Sequence, residues 1–178
     1  KIVGDEEKMH SILGVGVALP GLIDYESGSV LSSHSLKDWE GYPVKTYLED
    51  ALDTKVYLEN DVKTITLGEY HWGAGQEAKN VIYIWLGEGI GAGIIINGDI
   101  YRGVSASAGE VGYTEISARG INRGRFPILY EDQHRFGEVL TTRNLETSMQ
   151  KAVNNNGHTS VLKKTEISLN SIAPAVNK

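Results

Sequence analysis

One segment of this chain alternates glycine with other residues, and this pattern restricts the backbone strongly. Its glycines occupy every second position: Gly87, Gly89, Gly91 and Gly93. Apolar runs at residues 81–86 and 94–96 flank the series, so a strand is predicted on each side. A glycine-rich turn between strands either presents its amides to an anion or lets the strands pack closely. Both interpretations stay open. A dinucleotide-binding fingerprint does not fit, because that motif is followed by a helix, whereas a strand is predicted after this series.

Glu88 stands inside this series. A carboxylate there opposes a bound phosphate by on the order of 1 kcal/mol or more at short range, which weakens the phosphate-loop interpretation. Asn97-Gly98 follows the series, and this dipeptide is the strongest short signal of a two-residue hairpin. An antiparallel meander is therefore predicted from residue 81 onward.

The preceding residues alternate strand and helix patterns. Two short apolar runs are typical of buried strands: residues 12–19 and 56–58. Helical spacing of apolar residues follows Pro43, which fits the first turn of a helix. A second helix is predicted from about Val62 to Tyr70, with Ile65 and Leu67 facing inward. This alternation predicts an α/β layer with a mainly parallel sheet.

Composition excludes several classes of protein. The chain has 178 residues, 40% of them hydrophobic, so it can bury a core. Its net charge of −6 argues against nucleic-acid binding by this segment itself. It has no cysteine, which excludes disulfides and thiolate zinc sites. No apolar run approaches the roughly 20 residues of a membrane span, so a cytoplasmic globular chain with no membrane segment is expected.

Polar residues stand where the second predicted strand ends. Asn60 and Asp61 follow Glu59 there, and the carboxyl ends of parallel strands are the usual ligand edge of an α/β sheet. Asp61 is a candidate general base for a substrate hydroxyl, and Asn60 can both donate and accept hydrogen bonds. The alternative is that Asn60 or Asp61 only caps the following helix.

A further carboxylate stands in a glycine-flanked loop that runs from Gly109 through Glu110 to Tyr113. A carboxylate can accept paired hydrogen bonds from neighbouring sugar hydroxyls. Taken alone, the motif indicates only a surface loop.

These motifs, in this order, resemble the ROK family of repressors, open reading frames and sugar kinases. The resemblance runs from about Leu13 to Ile116 and rests on four stretches: residues 14–24, 58–61 with 67–69, 87–98 and 101–112. It implies a two-lobed α/β fold of the actin/hexokinase-like (ribonuclease H-like) type, of which this chain would carry part. The first lobe would comprise residues 1–78 and the second residues 79–178.

By the same resemblance, a sugar would lie in the cleft between the lobes. Its expected contacts are Asn60, Asp61, Glu110, Tyr113 and Ser35. Ser35 stands where many members of the family use Asn. If the protein is a kinase, Asp61 would be its catalytic base; otherwise no catalytic residue is expected.

Departures from the family's kinases favour a regulator. The kinases have Thr or another small residue where this chain has Glu88, and a zinc-binding His where it has Tyr113. The cysteine-rich zinc motif that should follow is missing from the sequence, so we expect no metal, and in particular no zinc between residues 112 and 130. The family's first ATP loop would precede this chain.

The favoured hypothesis is the effector-binding part of a sugar-responsive ROK repressor, most like the NagC/XylR type. DNA would be bound through an upstream helix-turn-helix outside this chain, and a homodimer or homotetramer without a cofactor is expected. The alternatives are an ATP-dependent sugar kinase, which would use ATP, and a purely structural paralogue. An upstream helix-turn-helix would favour the regulator, and an intact upstream glycine loop the kinase.

Overall fold

The computed structural model describes residues 12–115 and 135–155, except for the side chains of residues 138 and 152–155. Within these ranges, residues 12–83 and 93–109 form one compact unit, and residues 84–92, 110–115 and 135–155 form another. The division into lobes at residues 1–78 and 79–178 stays a prediction. No helix among the described residues is long and apolar enough to cross a membrane.

The first unit begins with alternating strands and helices. In chain order they are β1 (Val15–Leu19), β2 (Leu22–Asp24), β3 (Ser29–Ser32), a 3-10 turn (Lys37–Trp39), α1 (Val44–Leu52), β4 (Val56–Asn60) and α2 (Asp61–Trp72). β1 and β4 pair in parallel, with Leu19 opposite Asn60. β2 and β3 form an antiparallel hairpin. The parallel pair confirms the predicted α/β arrangement. The helix predicted here is α1, and Pro43 is its N-cap rather than a residue of its first turn.

The core of this unit lies between the β1–β4 pair, the hairpin and α1. Six aliphatic side chains are buried there: Leu19, Ile23, Val30, Val44, Val56 and Leu58. Alternation along the strands explains the pattern, because successive side chains point to opposite faces. The other face leaves Gly16, Ala18 and Tyr57 open.

Strands β5 (Val81–Leu86), β6 (Ile90–Ile96) and β7 (Asp99–Ile100) form a three-stranded sheet in that order. β6 and β7 are antiparallel, with Ile96 opposite Asp99. Asn97 and Gly98 have φ angles of 54° and 94°, and a two-residue turn of this kind needs positive φ at both central residues. The predicted hairpin is therefore confirmed.

The buried side of α2 differs from the expectation. Lys63 and Thr66 are its buried residues, whereas Ile65 and Leu67 are only half-buried. The reason is a close approach of the helix to β6. A Cβ atom on Gly93 would lie 1.8 Å from Thr66 Oγ1, so only glycine fits opposite this threonine. Packing against a distant strand, rather than hydrophobicity, therefore determines which side of α2 is buried.

The second unit contains a 3-10 helix (Val111–Tyr113), α3 (Phe136–Val139) and α4 (Thr142–Asn155). Gly112 packs its backbone against β6 and α3. A Cβ atom there would lie 2.8 Å from the Ile90 carbonyl oxygen and 3.6 Å from the Cα atom of Gly137. Gly112, two residues after Glu110, is thus required by close packing.

Candidate functional site

Asn60, the last residue of β4, is buried and its side chain holds the fold together. Its Oδ1 accepts a hydrogen bond from the Lys63 backbone N–H at 3.0 Å, and its Nδ2 donates to the Gly21 carbonyl at 3.0 Å. Gly21 has a φ of 108°, a conformation that glycine adopts without strain. Asn60 therefore caps α2 and ties it to the turn after β1. The capping alternative is confirmed for Asn60.

Asp61 is the first residue of α2 and is half-buried. Its Oδ1 accepts a hydrogen bond from the Val62 backbone N–H at 2.8 Å. Among the described residues, no group donates a hydrogen bond to its Oδ2. The start of a helix favours the negative charge of this carboxylate. Asp61 is therefore not the cap, and it keeps an acceptor oxygen at the end of the strand.

Glu59, one residue before the pair, is fully engaged. Its Oε1 accepts hydrogen bonds from the Tyr25 hydroxyl at 2.5 Å and from the Asn60 backbone N–H at 2.8 Å. Its Oε2 accepts from Arg102 Nε at 3.0 Å and Nη2 at 2.7 Å. Burial, and then the Glu59 carboxylate, raise the pKa of Tyr25 well above its ordinary value, so the phenol stays protonated and donates. Both oxygens of Glu59 are thus engaged within the fold.

The loop of residues 102–109 is tied to α2 by a buried lysine. Lys63 is 1% exposed, and its Nζ donates a hydrogen bond to the Ala106 carbonyl at 2.9 Å. The loop closes on itself as well, because the Ala108 N–H donates to the Arg102 carbonyl at 3.1 Å. Tyr25, Lys63 and Arg102 were not predicted as site residues from the sequence. No local pattern marks a lysine near a helix start as buried.

Glu110 and Tyr113 lie in the second unit, and Ser35 lies on an exposed bend after β3 in the first. Glu110 is half-buried and its carbonyl accepts a hydrogen bond from the Tyr113 N–H at 3.2 Å. The Arg135 guanidinium carbon lies 5.6 Å from the centre of the exposed Tyr113 ring, within cation–π range. A shared sugar site stays a prediction for these three residues together with Asn60 and Asp61.

Some backbone groups of the glycine series form hydrogen bonds within the protein. The Gly87 N–H donates to the Gly89 carbonyl at 2.8 Å, and the Gly87 carbonyl accepts from the Thr142 N–H at 2.9 Å. The Gly87 amide is therefore used inside the turn and is not directed at an anion. Glu88 is exposed beside it, and Gly93 is required by its contact with Thr66. At Gly87 and Gly93 the structure favours close packing over a phosphate loop.

The open face of the β1–β4 pair borders a cavity of about 600 Å³ within the first unit. Gly16, Ala18 and Leu67 give it an apolar lining. Lys45 adds positive charge, whereas Arg102 and Glu59, which also line it, form an ion pair with each other. In the described part of the chain, no three His, Cys, Asp or Glu side chains are grouped to hold a metal ion. We expect no zinc between residues 112 and 130. Residues 116–130 of this segment lie outside the described part of the chain, so this stays a prediction.

Comparison with known proteins gives a consistent group of relatives. The model of the ROK family matches residues 2–126. A xylose repressor of Caldicellulosiruptor bescii is 40% identical over 106 residues, which are 60% of this chain and 26% of the repressor. A glucokinase of Halalkalibacterium halodurans is 34% identical over 120 residues, which are 67% of this chain and 36% of the enzyme.

Solved structures agree with the fold. A ROK family glucokinase from Streptomyces griseus, solved in complex with glucose and AMPPNP, has a TM-score of 0.68 and 26% identity, covering 93% of this chain and 54% of that chain. The predicted α/β fold of the ROK type is thereby confirmed. The chain spans 26% and 36% of the length of the two curated relatives above, and regulators and kinases both occur among its matches.

Proposed function

Because this chain belongs to the ROK family, we propose that it is the sugar-binding part of a ROK transcriptional repressor. The observation that carries this proposal is the carboxylate of Asp61. It is half-buried at the end of a parallel strand, and its Oδ2 accepts no hydrogen bond from the described residues. Its neighbours Glu59 and Asn60 are engaged by the fold. Asp61 is therefore the acceptor at this edge that a ligand hydroxyl can use.

A sugar fits this chemistry because it presents several neighbouring hydroxyl donors. Each hydrogen bond to a charged group contributes roughly 1.5–3 kcal/mol. Glu110, Tyr113 and Ser35 are proposed to complete the site, and the names of the repressor relatives make D-xylose the first sugar to test. DNA is bound through a helix-turn-helix outside this chain. The protein acts in the cytoplasm as a homodimer or homotetramer, without metal or cofactor.

The glycine series supports a regulator rather than a kinase. A phosphate loop needs backbone amides directed at the anion, but the Gly87 amide donates to Gly89. The exposed carboxylate of Glu88 adds negative charge at the same turn. A sensor needs only a difference in sugar affinity between two conformations, not turnover.

A sugar kinase is the second candidate, and the position of Asp61 also suits it. A carboxylate with an available oxygen at this edge can take the proton of a sugar hydroxyl as it attacks the γ-phosphate of ATP. Similarity to a glucokinase over 120 residues supports this candidate.

One experiment on the full-length protein distinguishes the two candidates. Melting temperature is measured with D-xylose, D-glucose and N-acetyl-D-glucosamine, and ADP release is followed with each sugar and ATP. A sugar at 100 times its Kd should stabilise the fold by about 2.7 kcal/mol, without ADP release. Sugar-dependent ADP release at about 1–100 per second, the range of typical kinases, would replace the regulator by the kinase. No shift with any sugar would contradict the sugar site.

A further inference from the structure

We infer that Glu59 and Lys63 are positioning residues that clamp the loop of residues 102–109 to the strand end carrying Asn60 and Asp61. The clamp consists of two contacts, Glu59 with Arg102 and Lys63 with Ala106. It orders the end of β4, where Asp61 offers its available oxygen, before a ligand arrives. This inference rests on the proposed function, because the edge that it orders is the proposed sugar site.

The first contact has a fixed geometry. Two nitrogens of the Arg102 guanidinium, Nε and Nη2, bond one oxygen of Glu59 at 3.0 and 2.7 Å. The other oxygen of Glu59 accepts from Tyr25, and the Arg102 guanidinium carbon lies 4.9 Å from the centre of the Tyr25 ring. Neither partner can rotate without losing several contacts. Glu59 therefore holds the start of the loop in one place.

The second contact holds the middle of the loop. Ala106 has a φ of 58°, a left-handed conformation that is strained for an L-residue other than glycine. Such strain persists only where surrounding contacts impose it. The Ala106 carbonyl accepts a hydrogen bond from Lys63 Nζ, and Lys63 is 1% exposed. The buried ammonium therefore helps to hold the strained backbone.

The two contacts reach one loop from both sides of Asn60 and Asp61. Glu59 precedes Asn60 and Asp61, and Lys63 follows them on the first turn of α2. Movement of the loop would consequently disturb the strand end, and the loop leads directly into Glu110 in the sequence. A site that is ordered before binding loses less conformational entropy when the ligand arrives.

The test measures loop opening and sugar affinity in the same variants of the full-length protein. Arg102→Ala should accelerate amide exchange of residues 103–109 by about tenfold, and weaken binding of the best sugar among D-xylose, D-glucose and N-acetyl-D-glucosamine by a similar factor. Arg102→Lys, which keeps the charge but not the fork, should fall between Arg102→Ala and wild type. Arg143→Ala, at an exposed arginine of α4, is the matched control and should change neither quantity.

Each other outcome decides a separate question. Unchanged exchange in Arg102→Ala overturns the clamp. If amide exchange in Arg102→Ala instead rises evenly over residues 12–115 and the melting temperature falls, the Arg102–Glu59 contact only stabilises the fold. That result would overturn the positioning role. Faster loop exchange with unchanged sugar affinity also overturns positioning. If wild type binds none of the three sugars, the proposed function fails, and loop exchange alone then supports or overturns the clamp.

Discussion

Replacing Gly93 by alanine is expected to destabilise the first unit through one defined collision. The new Cβ atom would lie 1.8 Å from Thr66 Oγ1 and 2.6 Å from Thr66 Cβ, far inside the roughly 3.5–4.0 Å of a normal carbon contact. Thr66 is fully buried, and its Oγ1 donates a hydrogen bond to the Val62 carbonyl at 2.7 Å. Rotation of Thr66 would therefore break that bond, and otherwise α2 must move away from β6.

Two effects add up to the expected loss of stability: the steric overlap with Thr66 and the loss of its hydrogen bond to Val62. Overpacking of a core typically costs about 1–3 kcal/mol, and a lost buried hydrogen bond adds about 1 kcal/mol. For a chain of this length each kcal/mol lowers the melting temperature by about 2–4 °C, so Gly93→Ala should melt roughly 4–16 °C below wild type.

Thermal and urea unfolding of matched variants measure this effect. Gly89→Ala is the control, because no atom lies within 4 Å of its Cβ position; its unfolding free energy should stay within about 0.5 kcal/mol of wild type. Thr66→Ala removes Oγ1 but leaves a Cβ atom in the way, so it should relieve only part of the loss in Gly93→Ala. Equal melting temperatures for Gly93→Ala and Gly89→Ala would refute the packing explanation.

Two further predictions concern the strand end. Asn60→Ala removes the cap of α2 and the bond to Gly21 and should cost about 1–3 kcal/mol in urea unfolding, whereas Asn60→Asp keeps the cap and should lose less; equal losses would contradict the capping role. The raised pKa of Tyr25 means that its contribution to stability is complete below the unfolded value of about 10 and is lost as pH rises through the folded pKa. Tyr25→Phe should therefore be less stable than wild type at pH 8, by a margin that narrows above pH 10, and a constant margin would count against the Tyr25–Glu59 bond.

Local features of the fold could be predicted because local residues determine them. Asn97 and Gly98 form the expected turn, since few residue pairs accept positive φ at both positions. The strand ending at Asn60 is marked by an apolar run followed directly by polar residues. The ROK resemblance then linked these local elements into one fold and selected Asp61.

Contacts between distant residues could not be predicted in the same way. Lys63 looks like an exposed helix residue, yet its Nζ bonds a carbonyl 43 residues further along the chain. Thr66 is buried because Gly93 leaves room for it. Glu59 resembles Asp61 in the sequence, and only the partners Tyr25 and Arg102 distinguish an engaged carboxylate from an available one. Periodicity carries no information on such pairs.

The most direct test of the sugar site is calorimetric titration of full-length wild type and Asp61→Asn with the sugar that stabilises wild type most. Asparagine can still accept the hydrogen bond from Val62, so only the charge is lost, and the fold should lose no more than about 0.3–1 kcal/mol at the helix start. If Asp61 binds the sugar, its replacement by asparagine should raise Kd by about one to two orders of magnitude and leave the melting temperature nearly unchanged. An unchanged Kd would show that Asp61 does not contact the sugar and would contradict the proposed sugar site.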